Sequence, residues 1–318
     1  MRIRLGYVAI ALNLEKVTSS STLTYSRYLK LDENERLKKL KEVTYSNIEA
    51  LEKILRYNIE NNIHFYRMTS NLIPLATHPD VMWNYTKYFK KDLEYIGKII
   101  KENDLRVDAH PDQFNVINSD RECVVENTLR NLNMQVNLFE AMNYKDGKMV
   151  IHVGSSKGGK DIASQRFIEN LNKFPKKITN RLLLENDDKT FNTIEVLKIC
   201  EKTNLPMVLD VHHHNCNKCE EDIKSLLVKV FKTWENEKLV PKLHFSSPRE
   251  FENDRKHADY IDAKRFLEFI YEAKESVDKD FDIMIEAKQK DRTLNRLVKD
   301  LKNLTKDIKF IDNNTFEI

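Results

Sequence analysis

Several residue types and sequence features are scarce in this chain, and each scarcity excludes a class of protein. Only 6 of its 318 residues are glycine and 7 are proline, too few for a collagen-like chain or a proline-rich linker protein. The hydrophobic share of 41% is enough to fill a core and argues against disorder. The first residues show no apolar signal region, and no stretch approaches the roughly 18 apolar residues of a membrane span. These absences predict a soluble cytoplasmic protein without a membrane segment.

Cysteine and net charge are also low. The four cysteines, in a chain without an export signal, are expected to be reduced. Cys216 and Cys219 could form half of a zinc site, but no second CxxC pair completes it, so we prefer to interpret them as loop thiols. With 53 basic and 50 acidic residues the net charge is +3, so any attraction to DNA would need local clustering of Lys and Arg.

Eight short apolar or β-branched runs are spread along the chain, each followed by a longer stretch with helical periodicity. The runs are Ile3–Ala9, Ile63–Met68, Leu105–Ala109, Met149–Val153, Arg181–Leu184, Pro206–Leu209, Pro241–Phe245 and Phe281–Ile285. The helical stretches include Glu33–Asn61, Tyr88–Glu102, Cys123–Met142, Ile194–Thr203, Asp222–Trp234 and Ala263–Lys274. This alternation predicts an α/β fold with a parallel sheet, and the length suits a single-domain (β/α)8 TIM barrel over residues 1–318. An open doubly wound sheet is the alternative, but no G-x-G-x-x-G motif supports its dinucleotide-binding form.

The ends of these predicted strands are rich in metal-binding side chains. In a (β/α)8 barrel the active site is built where the strands end. The third to eighth runs each carry a histidine or carboxylate at or beside that end: His110, His152, Glu185, Asp210, His244 and Glu286. Any one of them could be a polar residue at the rim of a core. Three imidazoles facing three carboxylates instead predict cations between them, and mixed nitrogen and oxygen ligands suit Zn²⁺ or Mn²⁺.

This number of ligands exceeds what one tetrahedral ion uses, so the sequence predicts a cluster of ions. Glu185, central in the series, is the candidate bridging carboxylate and catalytic residue. His213, His257 and Asp259 could form a further metal site, although a solvent-facing loop explains the latter two equally well. Clustered divalent ions suit the hydrolysis of phosphate esters.

Lys242 lies two residues before His244 and is expected to point into the barrel with it. A buried ammonium beside metal cations would be costly. We expect Lys242 to be deprotonated, paired with a carboxylate, or converted to an anion such as a carbamate.

Five segments of the sequence carry a resemblance to a known family. They are His110-Pro-Asp-Gln-Phe, Leu184-Glu-Asn-Asp-Asp-Lys, Lys242-Leu-His-Phe-Ser-Ser-Pro, His257-Ala-Asp-Tyr and Met284-Ile-Glu-Ala-Lys-Gln-Lys-Asp. In these, and in the segment from Leu72 to Trp83, the chain resembles the UV damage endonuclease family over nearly its whole length. The resemblance implies a barrel similar to that of the endonuclease IV group.

The same resemblance implies a DNA repair enzyme. Such an enzyme nicks double-stranded DNA directly 5′ to ultraviolet photoproducts, both cyclobutane pyrimidine dimers and 6-4 products, with up to three divalent ions, typically Mn²⁺. The implied ligands are His110, His152, Glu185, Asp210, His213, His244, His257 and Glu286. Lys242 corresponds to a catalytic lysine that the family can carry in carboxylated form. We expect a monomer.

The resemblance also implies residues that read the damage. Gln113 and Phe114 match a Gln-Tyr pair that the family wedges into the duplex opposite the lesion, and Phe keeps the flat apolar face without the hydroxyl. Tyr7 and Asn71 fall on positions expected to face the DNA. The chain departs from the family at Asn71, where some members have histidine, and at Ala11, where the family has asparagine.

Three other functions remain open from the sequence. The first is an abasic-site endonuclease of the endonuclease IV type. The second is a metal-dependent sugar isomerase, because such enzymes also place Glu, Asp and His at barrel strand ends. The third is a catalytically silent metal-binding or DNA-binding protein.

Overall fold

The structure, a computed structural model, describes residues 1–318 and is built around a closed barrel of parallel strands. The first strand pairs with both the second and the eighth, which closes the sheet and confirms the predicted (β/α)8 barrel. The barrel strands are β1 (Arg2–Val8), β2 (Phe65–Met68), β3 (Arg106–Ala109), β4 (Met149–His152), β5 (Leu182–Glu185), β6 (Met207–Asp210), β7 (Lys242–Phe245) and β8 (Phe281–Ile285).

Eleven helices connect and surround the strands, and none is long and apolar enough to cross a membrane. Every predicted strand and helix is present, with ends within two residues of their expected positions. The helices are α1 (Tyr25–Leu29), α2 (Glu33–Glu60), α3 (Thr86–Glu102), α4 (Glu122–Ala141), α5 (Lys160–Leu171), α6 (Lys176–Thr179), α7 (Thr193–Thr203), α8 (Val211–Cys216), α9 (Ile223–Lys232), α10 (Ala263–Ser276) and α11 (Lys290–Leu304).

Two short strands were not predicted. β9 (Lys309–Phe310) and β10 (Thr315–Glu317) form an antiparallel pair at the end of the chain. β10 also pairs with Arg2–Arg4, the part of β1 that β2 does not reach.

The main hydrophobic core lies between the barrel wall and its helices. It is a cluster of 70 buried residues that includes alternate residues of the strands, such as Ile3, Leu5 and Tyr7 on β1. Helix α2 shows how the sequence builds this layer: Asp32 and Glu35 form a capping box at its start, and Leu51 and Leu55 lie one turn apart on its buried face. Because side chains alternate along a strand, the remaining strand residues face the barrel interior.

The barrel interior is divided into an apolar half and a charged half. Val150 on β4, Leu183 on β5 and Val208 on β6 form a separate buried cluster with Trp234. On the opposite side, Arg4 makes two hydrogen bonds of 2.7 and 2.8 Å to Asp282.

The charged half continues from Asp282 across the barrel. Arg106 donates to Asp282 over 2.8 Å, and Lys242 donates to Asp108 over 2.9 Å. Lys242 and Asp108 lie on β7 and β3, which are opposite walls of the eight-stranded barrel, so their contact spans its interior. We call Arg4, Arg106, Asp108, Lys242 and Asp282 the interior ion network.

Candidate metal centre and DNA-facing surface

Glu185 is the centre of the site at the C-terminal mouth of the barrel. It ends β5, and its side chain is 1% exposed. Its Oε2 lies 2.9 Å from Nε2 of His110 and 3.5 Å from Nε2 of His152. Ligand atoms of these three residues lie within 4.8 Å of one another, a grouping that could hold a metal ion.

A second group of donors shares Glu185 with the first. It consists of Glu185, Asp210, His244 and Glu286, whose ligand atoms also lie within 4.8 Å of one another. Nδ1 of His244 is 2.6 Å from Oε1 of Glu185 and 3.2 Å from Oε1 of Glu286. The structure therefore brings together all six strand-end residues, with Glu185 between the two groups.

His213 and His257 lie at the edge of the second group. Asp210 caps helix α8, accepting a hydrogen bond of 2.7 Å from the backbone N–H of His213, and this cap holds His213 beside the site. Nδ1 of His213 is 3.9 Å from both Glu185 and Asp210, and Nδ1 of His257 is 3.8 Å from Glu286. Asp259, which the sequence suggested as a further metal ligand beside these two histidines, is exposed.

Buried atoms without partners fit a cation at this place. Oδ2 of Asp210, Nε2 of His244 and Nδ1 of His152 are buried and make no hydrogen bond. Unpaired buried polar atoms are costly, and carboxylates grouped with imidazoles are a donor set that Zn²⁺ and Mn²⁺ accept. The residues present therefore fit a metal centre.

The electrostatics of the site follow from three carboxylates packed together. Burial by itself would raise the pKa of Glu286, but the Arg67 guanidinium and the His244 imidazole hold it well below its usual range. Burial likewise opposes protonation of His213, yet the carboxylates of Asp210 and Glu185 raise the pKa of His213 to about 9. The cluster is thus a negative site that attracts positive charge.

Lys242 lies fully buried below the site and pairs with Asp108. Pairing with a carboxylate is one of the three states that the sequence left open for this lysine. Burial lowers the pKa of Lys242 to about 8, with further lowering from the charge of Arg106 and only partial compensation by Asp108. Nε and Nη2 of Arg106, in the same interior, have no hydrogen-bond acceptor.

The predicted DNA-reading residues have different surroundings. Gln113 and Asn71 are exposed, and the ring of Phe114 is 76% exposed. The loop that carries Phe114 is shaped by Asp112, whose Oδ1 accepts a hydrogen bond of 2.9 Å from the backbone N–H of Phe114. A cavity of about 430 Å³ lies between Gln113, His152, His213 and Arg255.

The expectation for Tyr7 does not agree with the structure. Tyr7 is fully buried, and its hydroxyl donates to Oδ1 of Asn58 on α2 over 2.8 Å. The period of two along β1 puts Tyr7 with Ile3 and Leu5 on the side that faces the helices. Tyr7 therefore has no surface to offer DNA, and that alternation was the signal in the sequence that could have excluded it.

Two features of the site were missed in the sequence. Arg67 on β2 pairs with Glu286, and Arg255 pairs with Asp188 at the edge of the cavity. The first contact spans 219 positions and the second 67, and no spacing rule connects residues so far apart. The four cysteines are free, as expected.

A closed parallel barrel with histidines and carboxylates gathered at its C-terminal mouth is the architecture of metal-dependent barrel enzymes. The solved structure of endonuclease IV from Thermus thermophilus is similar in fold, with a TM-score of 0.56 at 11% identity over 94% of this chain and 98% of that one. At such low identity it supports the fold alone.

The family model for UV-endonuclease UvdE matches residues 3–316, so the chain belongs to this family. The curated UV DNA damage endonuclease of Bacillus cereus (strain 03BB102) is 40% identical over 318 residues, covering 100% of both chains. The crystal structure of SacUVDE has a TM-score of 0.85 and 36% identity, covering 95% of this chain and 99% of that one. The sequence prediction of a UV damage endonuclease is confirmed and is favoured over the sugar isomerase, abasic-site endonuclease and silent-binder alternatives.

Proposed function

We propose that this enzyme hydrolyses one phosphodiester bond of double-stranded DNA directly 5′ to an ultraviolet photoproduct, either a cyclobutane pyrimidine dimer or a 6-4 product. The observation that carries the proposal is Glu185, shared by two donor groups at a barrel mouth that also presents the exposed Phe114. The full-length similarity to UV DNA damage endonucleases supports DNA as the substrate.

The proposed cofactor is a cluster of up to three divalent ions, with Mn²⁺ the preferred metal. The ligands we propose are the eight carboxylate and imidazole residues His110, His152, Glu185, Asp210, His213, His244, His257 and Glu286. When bound, such ions supply hydroxide near neutral pH and stabilise charge on the phosphate. Glu185 bridges the two donor groups, and Arg67 holds Glu286 in place from β2.

Recognition of the lesion is assigned to the DNA-facing surface. Phe114 and Gln113 enter the duplex opposite the damage, where the flat ring of Phe114 fills the gap left by the displaced bases. Asn71 contacts the DNA strand opposite the damage, near the same position. The cavity of about 430 Å³ between Gln113, His152 and Arg255 is the space we assign to the displaced bases, beside the metal ligands.

We further propose that Lys242 is catalytic in carboxylated form. Its amine is buried and donates to Asp108, and Arg106 offers two N–H donors that lack acceptors in the same interior. A carbamate on Lys242 would bring oxygen acceptors to these donors. Because acid releases a lysine carbamate as CO₂, the test is ¹³C NMR of the folded enzyme at neutral pH under ¹³CO₂, which should show one carbamate carbon that is absent from Lys242→Met; no such signal in the wild-type enzyme would contradict the modification.

The test of the main proposal is incision of irradiated plasmid by the metal-loaded enzyme. We expect nicking in Mn²⁺ that exceeds nicking of unirradiated plasmid, stops with EDTA and returns with Mn²⁺. Defined duplexes with one cyclobutane dimer, one 6-4 product or one abasic site then resolve the lesion preference. Equal nicking of irradiated and unirradiated DNA, or cleavage of the abasic duplex alone, would overturn the proposal.

We propose that the whole chain acts as one domain and as a monomer. The continuous core, which includes both Ile3 and Phe316, supports a single domain. Size-exclusion chromatography with light scattering tests the monomer. The relative from Bacillus cereus is bacterial, and bacterial DNA lies in the cytoplasm, so we place the enzyme there. A fluorescent fusion that failed to colocalise with the nucleoid would contradict this.

A further inference from the structure

The exposure of phenylalanine is unevenly distributed in this protein. The chain contains 15 phenylalanines, and only Phe114 and Phe251 are exposed. The ring of Phe251 is 65% exposed, second only to Phe114 among the large hydrophobic residues at the surface. Exposed apolar residues are common singly, but the other 13 phenylalanines of this chain are buried or partly buried.

Both rings stand on loops that follow barrel strands at the C-terminal mouth. Phe114 follows β3 and Phe251 follows β7. These strands are opposite walls of the barrel, as the contact between Lys242 and Asp108 across the interior shows. The loops that carry Phe114 and Phe251 therefore leave the barrel from opposite sides of its mouth.

The loop that carries Phe251 is a folded hairpin. Pro248 and His257 form an antiparallel bridge, and the backbone N–H of Arg249 donates to the carbonyl of Lys256 over 3.0 Å. Asp254 is buried inside the hairpin and accepts hydrogen bonds from the backbone N–H groups of Glu250 and Lys256, over 3.2 and 3.0 Å. The hairpin thus keeps its shape without help from the side chain of Phe251.

Neighbouring loops hold the hairpin against the site. Arg255 pairs with Asp188 after β5, and Sγ of Cys216 on α8 lies 3.8 Å from the carbonyl oxygen of Asn253. The same hairpin ends at His257, which reaches Glu286. The position of Phe251 is therefore fixed relative to the metal ligands.

We propose that Phe251 is a second DNA-stacking residue, which packs on a base of the bound duplex on the side of the metal centre opposite Phe114. This inference rests on the proposed function. A duplex that presents a phosphate to the mouth of the barrel must extend past both flanks, and a flat aromatic ring on a rigid loop stacks on bases with little loss of conformational entropy. When Phe114 occupies the gap at the lesion, a second ring on the other side of the metal centre holds the duplex in place. The phosphate to be cleaved then lies over the metal centre.

The first experiment measures DNA affinity with the full-length, Mn²⁺-loaded enzyme. Anisotropy is recorded on a duplex that carries one cyclobutane dimer and a methylphosphonate at the scissile linkage. Phe251→Ala should raise the Kd about tenfold, Phe251→Trp should keep the wild-type Kd, and Phe251→Leu should behave like Phe251→Ala, because stacking needs a flat ring. Tyr45→Ala, on the outer helix α2 with a 49% exposed ring, is the matched control and should leave the Kd unchanged.

A second readout locates the contact. With 2-aminopurine placed at successive positions, Phe251→Ala should change the fluorescence at a site distinct from the one that responds to Phe114→Ala. A Kd for Phe251→Ala equal to that of the control, or a Leu variant as good as wild type, would overturn the inference. If wild-type enzyme fails to nick irradiated DNA while its binding still depends on Phe251, the proposed function fails and the DNA contact stands.

Discussion

Replacement of Asp282 by asparagine tests whether the interior ion network stabilises the barrel. The side chain of Asp282 is 1% exposed and accepts three hydrogen bonds of 2.7 to 2.8 Å from Arg4 and Arg106. Asparagine keeps the size but removes the negative charge that both guanidinium groups share, leaving Arg106 buried with Asp108 as its remaining anionic partner.

Removal of one partner from a buried ion pair costs about 3–5 kcal/mol. Because asparagine retains one accepting oxygen, we expect about 3 kcal/mol of unfolding free energy to be lost. At about 2–4 °C per kcal/mol for chains somewhat shorter than this one, the melting temperature should fall by roughly 6–12 °C.

The assay is urea unfolding followed by circular dichroism, with a thermal scan in parallel. Asp300→Asn is the matched control, since Asp300 is 37% exposed and pairs with Arg296 at the surface; its melting temperature should stay close to wild type. A loss below about 1 kcal/mol for Asp282→Asn would refute the view that the network depends on this carboxylate.

Three further predictions concern the site. Glu185→Gln should lower single-turnover nicking of dimer-containing DNA by about 10³-fold, close to 4 kcal/mol at 1.36 kcal/mol per tenfold, because both donor groups lose a charged ligand; full nicking with normal metal content would reject the bridging role. Phe114→Ala should weaken binding of the damaged duplex about tenfold while undamaged duplex is affected less, as measured by anisotropy; an equal loss on both duplexes would contradict a lesion-specific contact. Tyr7→Phe should lower the unfolding free energy by about 1 kcal/mol, because the hydrogen bond to Asn58 is lost. Its Kd for DNA should equal that of the wild type, and a changed Kd would contradict the conclusion that Tyr7 does not contact DNA.

Much of the fold was predictable because each strand is short, apolar and followed by an amphipathic helix. The ends of β8 were predicted without error, and other elements deviate by one or two residues. β9 and β10 were missed because segments of two and three residues carry too little hydrophobic pattern to stand out. The metal ligands were predictable because strand ends in a barrel converge on one mouth.

Contacts inside the barrel were less predictable, since alternation tells which face a residue occupies and not which residue it meets. Lys242 was expected to point inward, but its partner Asp108 lies 134 positions away on the opposite wall. The placement of Tyr7 failed for a different reason: the resemblance to a DNA-facing position overrode the period of two that groups it with Leu5.

The division of the barrel interior into an apolar half and a charged half also affects the register in which each strand pairs with its neighbours. A parallel strand that slips by two residues keeps its inward face, so side-chain alternation alone does not exclude the shifted register. On the charged side, a slip of β3 by two residues would bring the carboxylate of Asp108 to the level where the guanidinium of Arg106 now pairs with Asp282. Mispaired barrels would bring like charges together in a dry interior, where repulsion is strong. When the barrel closes, the interior ion network therefore favours the native register of β3 with its neighbouring strands over a register shifted by two residues.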